Sequence, residues 1–347
     1  MAPLLELRHV TKVYGRGLFR QQHTVALEDF SLVVNSHPAS ITALVGESGS
    51  GKTTLASLLL GVISPTKGEV LYKGKNLQAL SRDERSAFRR DVQVIFQDPY
   101  GVYNPVYKVD HVLEVPIEKS GQVRTRQEKR ALAEWALQTV GLRPEDTLGR
   151  YPHQLSGGQR QRIMVARALL TKPKLIIADE PVSMIDASLR ATVLSTLRQL
   201  NQDHGISFIY ITHDLATAYQ ISTNIIVLYA GSVAEVGDVD RVVQRPKHPY
   251  TQLLIGSIPQ PDPAQRWGAD NPAATVSETI SRSDGCKFAP RCPRVMPKCH
   301  ANAPALYRTD PHQLVSCYLH EDAPSVNGAE MMSAFVNSPR PASVQPS

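Results

Sequence analysis

Gly46-Glu47-Ser48-Gly49-Ser50-Gly51-Lys52-Thr53, with Thr54 behind it, spaces its glycines and its Lys-Thr pair as a phosphate-binding loop does. The chemistry that pattern supports is anion binding. Glycines let backbone N–H groups turn toward phosphate oxygens, and a helix that follows adds its positive end. Lys52 is then placed to reach the β and γ phosphates, and Thr53 to offer a hydroxyl to magnesium. A flexible glycine turn ahead of a helix is the bland alternative. Position argues against it, because an apolar run at 41–45 leads into the loop and helix-forming residues at 52–61 leave it.

Two further motifs complement the first. Leu175-Ile176-Ile177-Ala178-Asp179-Glu180 is an apolar strand that ends in paired carboxylates, which puts Asp179 near a metal and Glu180 near an attacking water. Buried strands often end in acids, so this motif gains its meaning from the phosphate loop beside it. Leu155-Ser156-Gly157-Gly158-Gln159, followed by Arg160-Gln161-Arg162, opens a helix that runs through Ala168; as a bare glycine-containing helix start it would mean little, but its N-terminus can face an anion and it lies between the phosphate loop and the acidic strand end.

Positioning these groups requires a sheet. Runs at 4–10 and 27–34 read as strands separated by a polar insert at 15–24, and 41–45, 92–96, 175–178, 207–211 and 225–228 read as strands apolar on both faces. Strands that alternate with helical patterns predict a mostly parallel sheet flanked by helices. Between 110 and 149 the pattern turns helical, with apolar residues at helical spacing over 126–140, so a helical subdomain is expected inside the α/β core. Proline and polar residues over 259–272 read as a linker, a cysteine-bearing segment follows, and the Pro-, Ser-, Ala- and Asn-rich stretch from about 322 is expected to be disordered.

Composition narrows the class. A chain of 347 residues that is 42% hydrophobic and 20% charged can bury a core. Its longest apolar stretches, such as 58–60 and 206–211, fall far short of the roughly 18 residues a membrane-spanning helix needs. Residues 1–10 carry Glu6, Arg8 and His9 where a secretory signal needs an unbroken apolar run, so the cytoplasm is the expected compartment. The net charge of +6 would suit nucleic acid or an anionic membrane surface, but it is scattered rather than massed and reads mostly as a solvated surface, so nucleic acid is not the expected partner.

The 155–159 wording, placed between a phosphate loop and an acidic strand end, resembles the signature of the ABC transporter ATPase family. That resemblance implies a P-loop NTPase α/β core with an antiparallel β subdomain and an inserted helical subdomain at about 98–170. The ATPase domain is then 1–257, a small Cys-rich C-terminal extension occupies 258–321, and 322–347 is the tail. It also implies roles. Tyr14 resembles the aromatic that stacks on adenine. Gln97 resembles the glutamine that contacts magnesium and water, completing a magnesium set with Thr53 and Asp179. Glu180, His213 and Lys52 become the catalytic set, with His213 the switch histidine on the γ-phosphate. Asp186 matches the aspartate that signals across a dimer, although this chain has Met184-Ile185 where the family more often has Ala-Leu. Ser156, Gly157, Gly158 and Gln159 are expected to act in trans, on ATP held by the phosphate loop of a second subunit.

Phe96-Gln97-Asp98-Pro99-Tyr100, Asn104-Pro105, Arg150-Tyr151-Pro152-His153-Gln154 and His248-Pro249-Tyr250-Thr251 are similar to the oligopeptide and dipeptide importer branch, and the insert with Gly17-Leu18-Phe19 to its second ATPase subunit. The implied partners are two membrane permease subunits, a second ATPase subunit that is a paralogue rather than an identical copy, and an extracytoplasmic solute-binding protein. The implied place is the cytoplasmic face of the membrane. Oligosaccharide or nickel cargo stays open, and so does a soluble ABC ATPase of nucleic-acid metabolism, although such proteins usually carry coiled-coil insertions or tandem ATPase domains, which this chain lacks.

All four cysteines, Cys286, Cys292, Cys299 and Cys317, fall in the extension. In a reducing compartment such a cluster favours metal over disulfides, and four thiolates suffice for a [4Fe–4S] cluster or a tetrahedral zinc. There is no Cys-x-x-Cys pair of the zinc-ribbon kind. Importer ATPases of this branch carry an extension of similar wording that in some of them binds an iron–sulfur cluster, so the cluster is the expectation, zinc and unliganded core cysteines the alternatives.

Overall fold

A run such as Ile41–Val45 is satisfied only by a strand covered on both faces, and each of its residues is buried. The structure, a computed structural model, describes residues 2–16, 22–101, 103–121, 123–257 and 284–336. The first elements are β1 (Leu5–Arg16), β2 (Gln22–Val34), β3 (Ile41–Val45), α1 (Lys52–Leu59), β4 (Lys67–Tyr72), β5 (Lys75–Asn76), α2 (Arg82–Asp91) and β6 (Val92–Ile95). Helices α3 (Val109–Ser120), α4 (Arg126–Thr139), α5 (Pro144–Thr147) and α6 (Gly157–Leu169) follow. Alternation resumes with β7 (Leu175–Asp179), α7 (Ala187–His204), β8 (Ser207–Thr212), α8 (Leu215–Ile221), β9 (Asn224–Tyr229), β10 (Ser232–Asp238), α9 (Val239–Gln244) and α10 (Pro249–Gly256). Beyond residue 283 lie α11 (Pro297–Ala301), β11 (Leu306–Asp310), β12 (Gln313–Val315) and β13 (Ser325–Val326), linked by short 3-10 turns.

Local sequence sets the helix ends. Ser81 with Glu84, Thr125 with Glu128 and Ser156 with Gln159 form reciprocal capping boxes that start α2, α4 and α6. Gly121 and Gly205, both left-handed, end α3 and α7.

The strands form two sheets. One is antiparallel, in the order β2-β1-β4-β5; the other has the order β13-β11-β12-β10-β9-β3-β8-β7-β6. In the second, β9, β3, β8, β7 and β6 run parallel, while β10, β12, β11 and β13 extend it with antiparallel pairs. The helical segment packs on one face through Leu113, Leu137, Ile163, Leu197, Phe208 and Tyr210. On the other face Leu55 and Leu58 of α1 join Phe30 of the antiparallel sheet and Ile209 and Ile211 of β8. A third cluster gathers Val45, Val227, Tyr250 and Phe288 around α8, α9 and α10. Among the described residues no helix is long and apolar enough to cross a membrane.

Two expectations are corrected. The 15–24 stretch is not wholly an insert, since Gly15 pairs with His23 and Arg16 with Gln22, continuing the β1–β2 ladder; residues 17–21, with the Gly17-Leu18-Phe19 wording, lie outside the described residues. The 322–347 stretch is not disordered up to residue 336. β13 pairs with β11, and a 3-10 segment, Gly328–Ala334, buries Met331 and Ala334. Its two methionines and Phe335 supply the apolar surface that the polar composition around them hid. The 259–272 linker lies outside the described residues.

Candidate nucleotide site

The order β3-β8-β7-β6 places the carboxyl ends of four parallel strands side by side, the edge where open α/β sheets bind ligands. Residues 46–51 leave β3, His213 follows β8, Asp179 ends β7 with Glu180 next, and Gln97 stands two residues past β6. Groups up to 167 positions apart in the chain are thereby aligned along one rim.

Glycine is needed at the loop for two separate reasons. Gly51 has φ 106 and a Cβ there would sit 2.4 Å from the Ala26 carbonyl oxygen, while Gly46 leaves no room against the Leu228 carbonyl, 2.2 Å from the same kind of added atom. Among the described residues the buried Ser50 Oγ has no hydrogen-bond partner, and the first-turn amides of α1 have none within the helix, so the loop presents unsatisfied donors to an anion. Lys52 is buried and its Nζ donates to the Gly46 carbonyl at 2.7 Å and the Glu47 carbonyl at 2.9 Å. Burial lowers its pKa, against the raising pull of Glu180, Asp179 and Glu47. Asp179 is shifted up, first by burial and then by the charge of Glu180, with Lys52 opposing. A half-buried carboxylate held at such a cost is suited to a cation. Thr53 and Thr54 open α1 at the surface side of the loop.

Glu180 is the hub. Gln97 Nε2 donates to its Oε2 at 2.9 Å, and His213 Nδ1 lies 2.8 Å from its Oε1. Its backbone is in the left-handed region, φ 46, with its N–H donating to the Ile211 carbonyl of β8 at 2.9 Å. A non-glycine residue in that region costs on the order of 1–2 kcal/mol, so the neighbouring strand holds the carboxylate in a pose the chain would not choose alone.

The 156–159 turn, Asp186 and Tyr14 stand apart from this cluster. Ser156 Oγ accepts from the Gln159 N–H at 3.2 Å and Gln159 Oε1 from the Ser156 N–H at 2.9 Å. An added Cβ on Gly157 would come within 3.1 Å of the Tyr100 hydroxyl, and one on Gly158 within 2.7 Å of Leu189 Cδ1, so a side chain at either position would have to displace the tip of a neighbour. Asp186 is exposed at the start of α7, between exposed Met184 on one side of buried Ile185 and the helix on the other. Tyr14 is exposed on β1, with Lys12 Nζ 5.2 Å from its ring centre.

Reasoning from the sequence missed the groups that brace the loop from afar. The Glu47 N–H donates to the Tyr250 hydroxyl at 2.9 Å, and Arg291 clasps the Glu47 carboxylate with two bonds of 2.7 and 2.9 Å. Tyr250 lies within the His248-Pro249-Tyr250 wording and Arg291 precedes Cys292, but separations of 203 and 244 residues gave no sign that they meet the loop. His320 is half-buried, with Nε2 3.3 Å from the Lys247 carbonyl.

The four cysteines line one small pocket together with His248 and Phe288, all as free thiols. Burial raises the pKa of Cys286 and Cys292 and pushes that of Cys317 up to about 11. Among the described residues, however, no group of three or more His, Cys, Asp or Glu is arranged to hold a metal ion.

Residues 27–183 match the ABC transporter family, and residues 234–299 the C-terminal region of oligopeptide/dipeptide transporters. The chain is 38% identical to the putative oligopeptide transport ATP-binding protein YkfD of Bacillus subtilis, covering 92% of this chain and 97% of that one. It is 36% identical to the dipeptide transport ATP-binding protein DppF of Haemophilus influenzae, covering 91% and 96%. In structure it resembles the ATP-binding cassette MJ0796, solved as a post-hydrolysis dimer bound to ADP and Pi, with a TM-score of 0.59, 30% identity, and 68% and 98% of the two chains covered.

Proposed function

Since the chain belongs to the ABC transporter ATP-binding family, with the C-terminal region of the oligopeptide/dipeptide branch, we propose that it is the ATP-hydrolysing motor of an importer for di- or oligopeptides. The observation that carries the ATPase reading is the linked set on one sheet rim: Lys52 in the phosphate loop, the Asp179-Glu180 pair, and Gln97 and His213 both bonded to Glu180.

In this reading residues 46–54 wrap the phosphates, Lys52 exchanges its two loop carbonyls for β- and γ-phosphate oxygens, and Tyr14 stacks on the adenine. Magnesium, when bound, neutralises phosphate charge, and Thr53, Gln97 and Asp179 are the residues that would hold it. Glu180 orients a water or takes its proton, and His213 steadies the γ-phosphate from the far side of the same carboxylate. The α6 N-terminus, with Ser156, Gly157, Gly158 and Gln159, supplies its amides to ATP held by a second subunit, and Asp186 links the two sites. Phe96, Tyr100, Val106 and Tyr107, exposed apolar groups close to Gln97 in sequence, suit docking of permease segments, so that nucleotide-driven closure moves the membrane subunits. The chain then sits on the cytoplasmic face with two permeases, a paralogous ATPase and an extracytoplasmic solute-binding protein as partners.

For the extension we propose a [4Fe–4S] cluster on Cys286, Cys292, Cys299 and Cys317, with zinc as the alternative. The support is that all four thiols line one pocket, and four thiolates are the ligand set of such a cluster. The absorption spectrum of anaerobically purified protein separates a brown cluster form from colourless zinc.

The importer reading is tested by growth of cells that depend on this transporter for a peptide-borne nutrient. Cells carrying the Lys52→Ala chain are expected to stop growing on the peptide and to grow normally on the free amino acid. Undiminished peptide uptake would end the proposal, and loss of nickel or oligosaccharide uptake instead would move the cargo to that solute.

A further inference from the structure

Glu47, the second residue of the phosphate loop, is held at three points. Its carbonyl accepts from Lys52 Nζ, its N–H donates to Tyr250 of α10, and its carboxylate is clasped by Arg291. Arg291 does not float on the surface. It ends a 3-10 turn, Ala289–Arg291, that lies between Cys286 and Cys292, and its guanidinium stands 5.7 Å from the Tyr229 ring and 5.8 Å from that of Phe288. Phe288 is 2% exposed and packs edge-on against Tyr229, which in turn packs on Tyr250. Beside it Lys287 bonds the Ala230 carbonyl and pairs with Glu28, gripping the turn before Gly231, whose N–H donates to Ser50 of the loop. The cysteine-bearing extension therefore braces the phosphate loop from outside the ATPase core.

We infer that Arg291 is a positioning residue for ATP, acting through Glu47 to hold the phosphate loop in its binding shape. This rests on residues 46–53 being the nucleotide site. A planar guanidinium that meets a carboxylate in two parallel bonds fixes direction as well as distance, which a lysine would not. Because the loop grips phosphates in the ground state and the transition state alike, loosening it falls on ATP KM far more than on kcat.

The test measures ATPase KM and kcat, and binding of a fluorescent ATP analogue, on the full chain and four variants: Arg291→Ala, Arg291→Lys, Glu47→Gln and the Glu47→Gln/Arg291→Ala double. Arg291→Ala is expected to raise KM by about 3- to 10-fold, the reach of a partly exposed bidentate pair. Arg291→Lys recovers part of that loss, and the double variant is no worse than the poorer single. An unchanged KM in Arg291→Ala, or single effects that multiply in the double, overturns the inference. Should Arg291→Ala fold badly, Glu47→Gln, which leaves the cysteine module intact, must raise KM by itself, and an unchanged KM there is equally fatal. Lys52→Ala is the control. ATP binding that survives it overturns the site assignment, whereas binding lost in Lys52→Ala but normal in Arg291→Ala overturns only the arginine's role.

Discussion

Replacing Glu180 by glutamine keeps the shape of the side chain and removes its capacity to take a proton. The glutamine oxygen can still accept from Gln97, now 2.9 Å from Oε2, and the amide nitrogen can donate to a neutral His213 Nδ1, now 2.8 Å from Oε1. The backbone is untouched, since its φ of 46 and its bond to Ile211 do not involve the side chain. Stability is therefore expected to change by less than about 0.5 kcal/mol, a melting shift of roughly 2 °C or less. Loss of a positioned general base is worth about 10²- to 10⁴-fold in rate, roughly 3 to 5 kcal/mol of barrier. Phosphate release gives kcat, and equilibrium titration with Mg-ATP gives affinity. We expect kcat to fall by at least two orders of magnitude with affinity held within about threefold. A variant that turns over within about tenfold of the parent, with intact affinity, refutes Glu180 as the base.

Two further outcomes follow from buried ionisable groups. Asp179 carries a raised pKa from burial, so in the empty protein the folded state binds more protons than the unfolded one above 3.8, and stability falls as pH rises through the folded value. At neutral pH the charge is held at a cost, so Asp179→Asn is expected to raise the nucleotide-free melting temperature while cutting the extra stabilisation by Mg-ATP; calorimetry with and without nucleotide checks both, and a lower apo melting point contradicts it. His248, 3% exposed, has its pKa lowered from 6.5 to about 4, by burial first and His320 second. A lowered base binds fewer protons in the folded state, so stability is full above 6.5 and is lost as pH falls toward 4, by roughly 3 kcal/mol for this group. His248 Nδ1 accepts the Tyr250 N–H at 3.0 Å as cap of α10, a bond asparagine can replace, so urea midpoints of His248→Asn against pH are expected to flatten over that window relative to the parent.

Local chemistry explains which parts of the site could be read from the sequence. The phosphate loop and the acidic strand end announce themselves because spacing alone fixes what a strand, turn and helix must present. The capping role of Ser156 and Gln159 is likewise short-range, three residues apart. The meeting of Gln97, Glu180 and His213 depends on strand order, which no periodicity encodes; it entered only through resemblance to a family. The left-handed backbone of Glu180 left no trace either, because a glutamate is not the residue one expects there. Tyr250 and Arg291 were visible as residues but not as braces, and the buried Glu235, which accepts the N–H groups of Lys247 and His248, stands in no motif. The folded segment before residue 337 was missed because two methionines and a phenylalanine among polar neighbours carry no period, only a destination.

That segment reaches the opposite end of the strands whose carboxyl ends carry the reactive groups. Asn224, the first residue of β9, exchanges two bonds with Val336: its Nδ2 donates to the Val336 carbonyl at 3.0 Å and its Oδ1 accepts the Val336 N–H at 2.9 Å. Met332, Phe335 and Val336 lie over Leu32 and Val34 of β2. A shortened protein stopped at residue 321, as composition would invite, would lose the residues that close this trough and leave β11 with an open ladder, a template for self-association. One stopped after residue 336 keeps both covered, so purification tags and trims belong beyond that point.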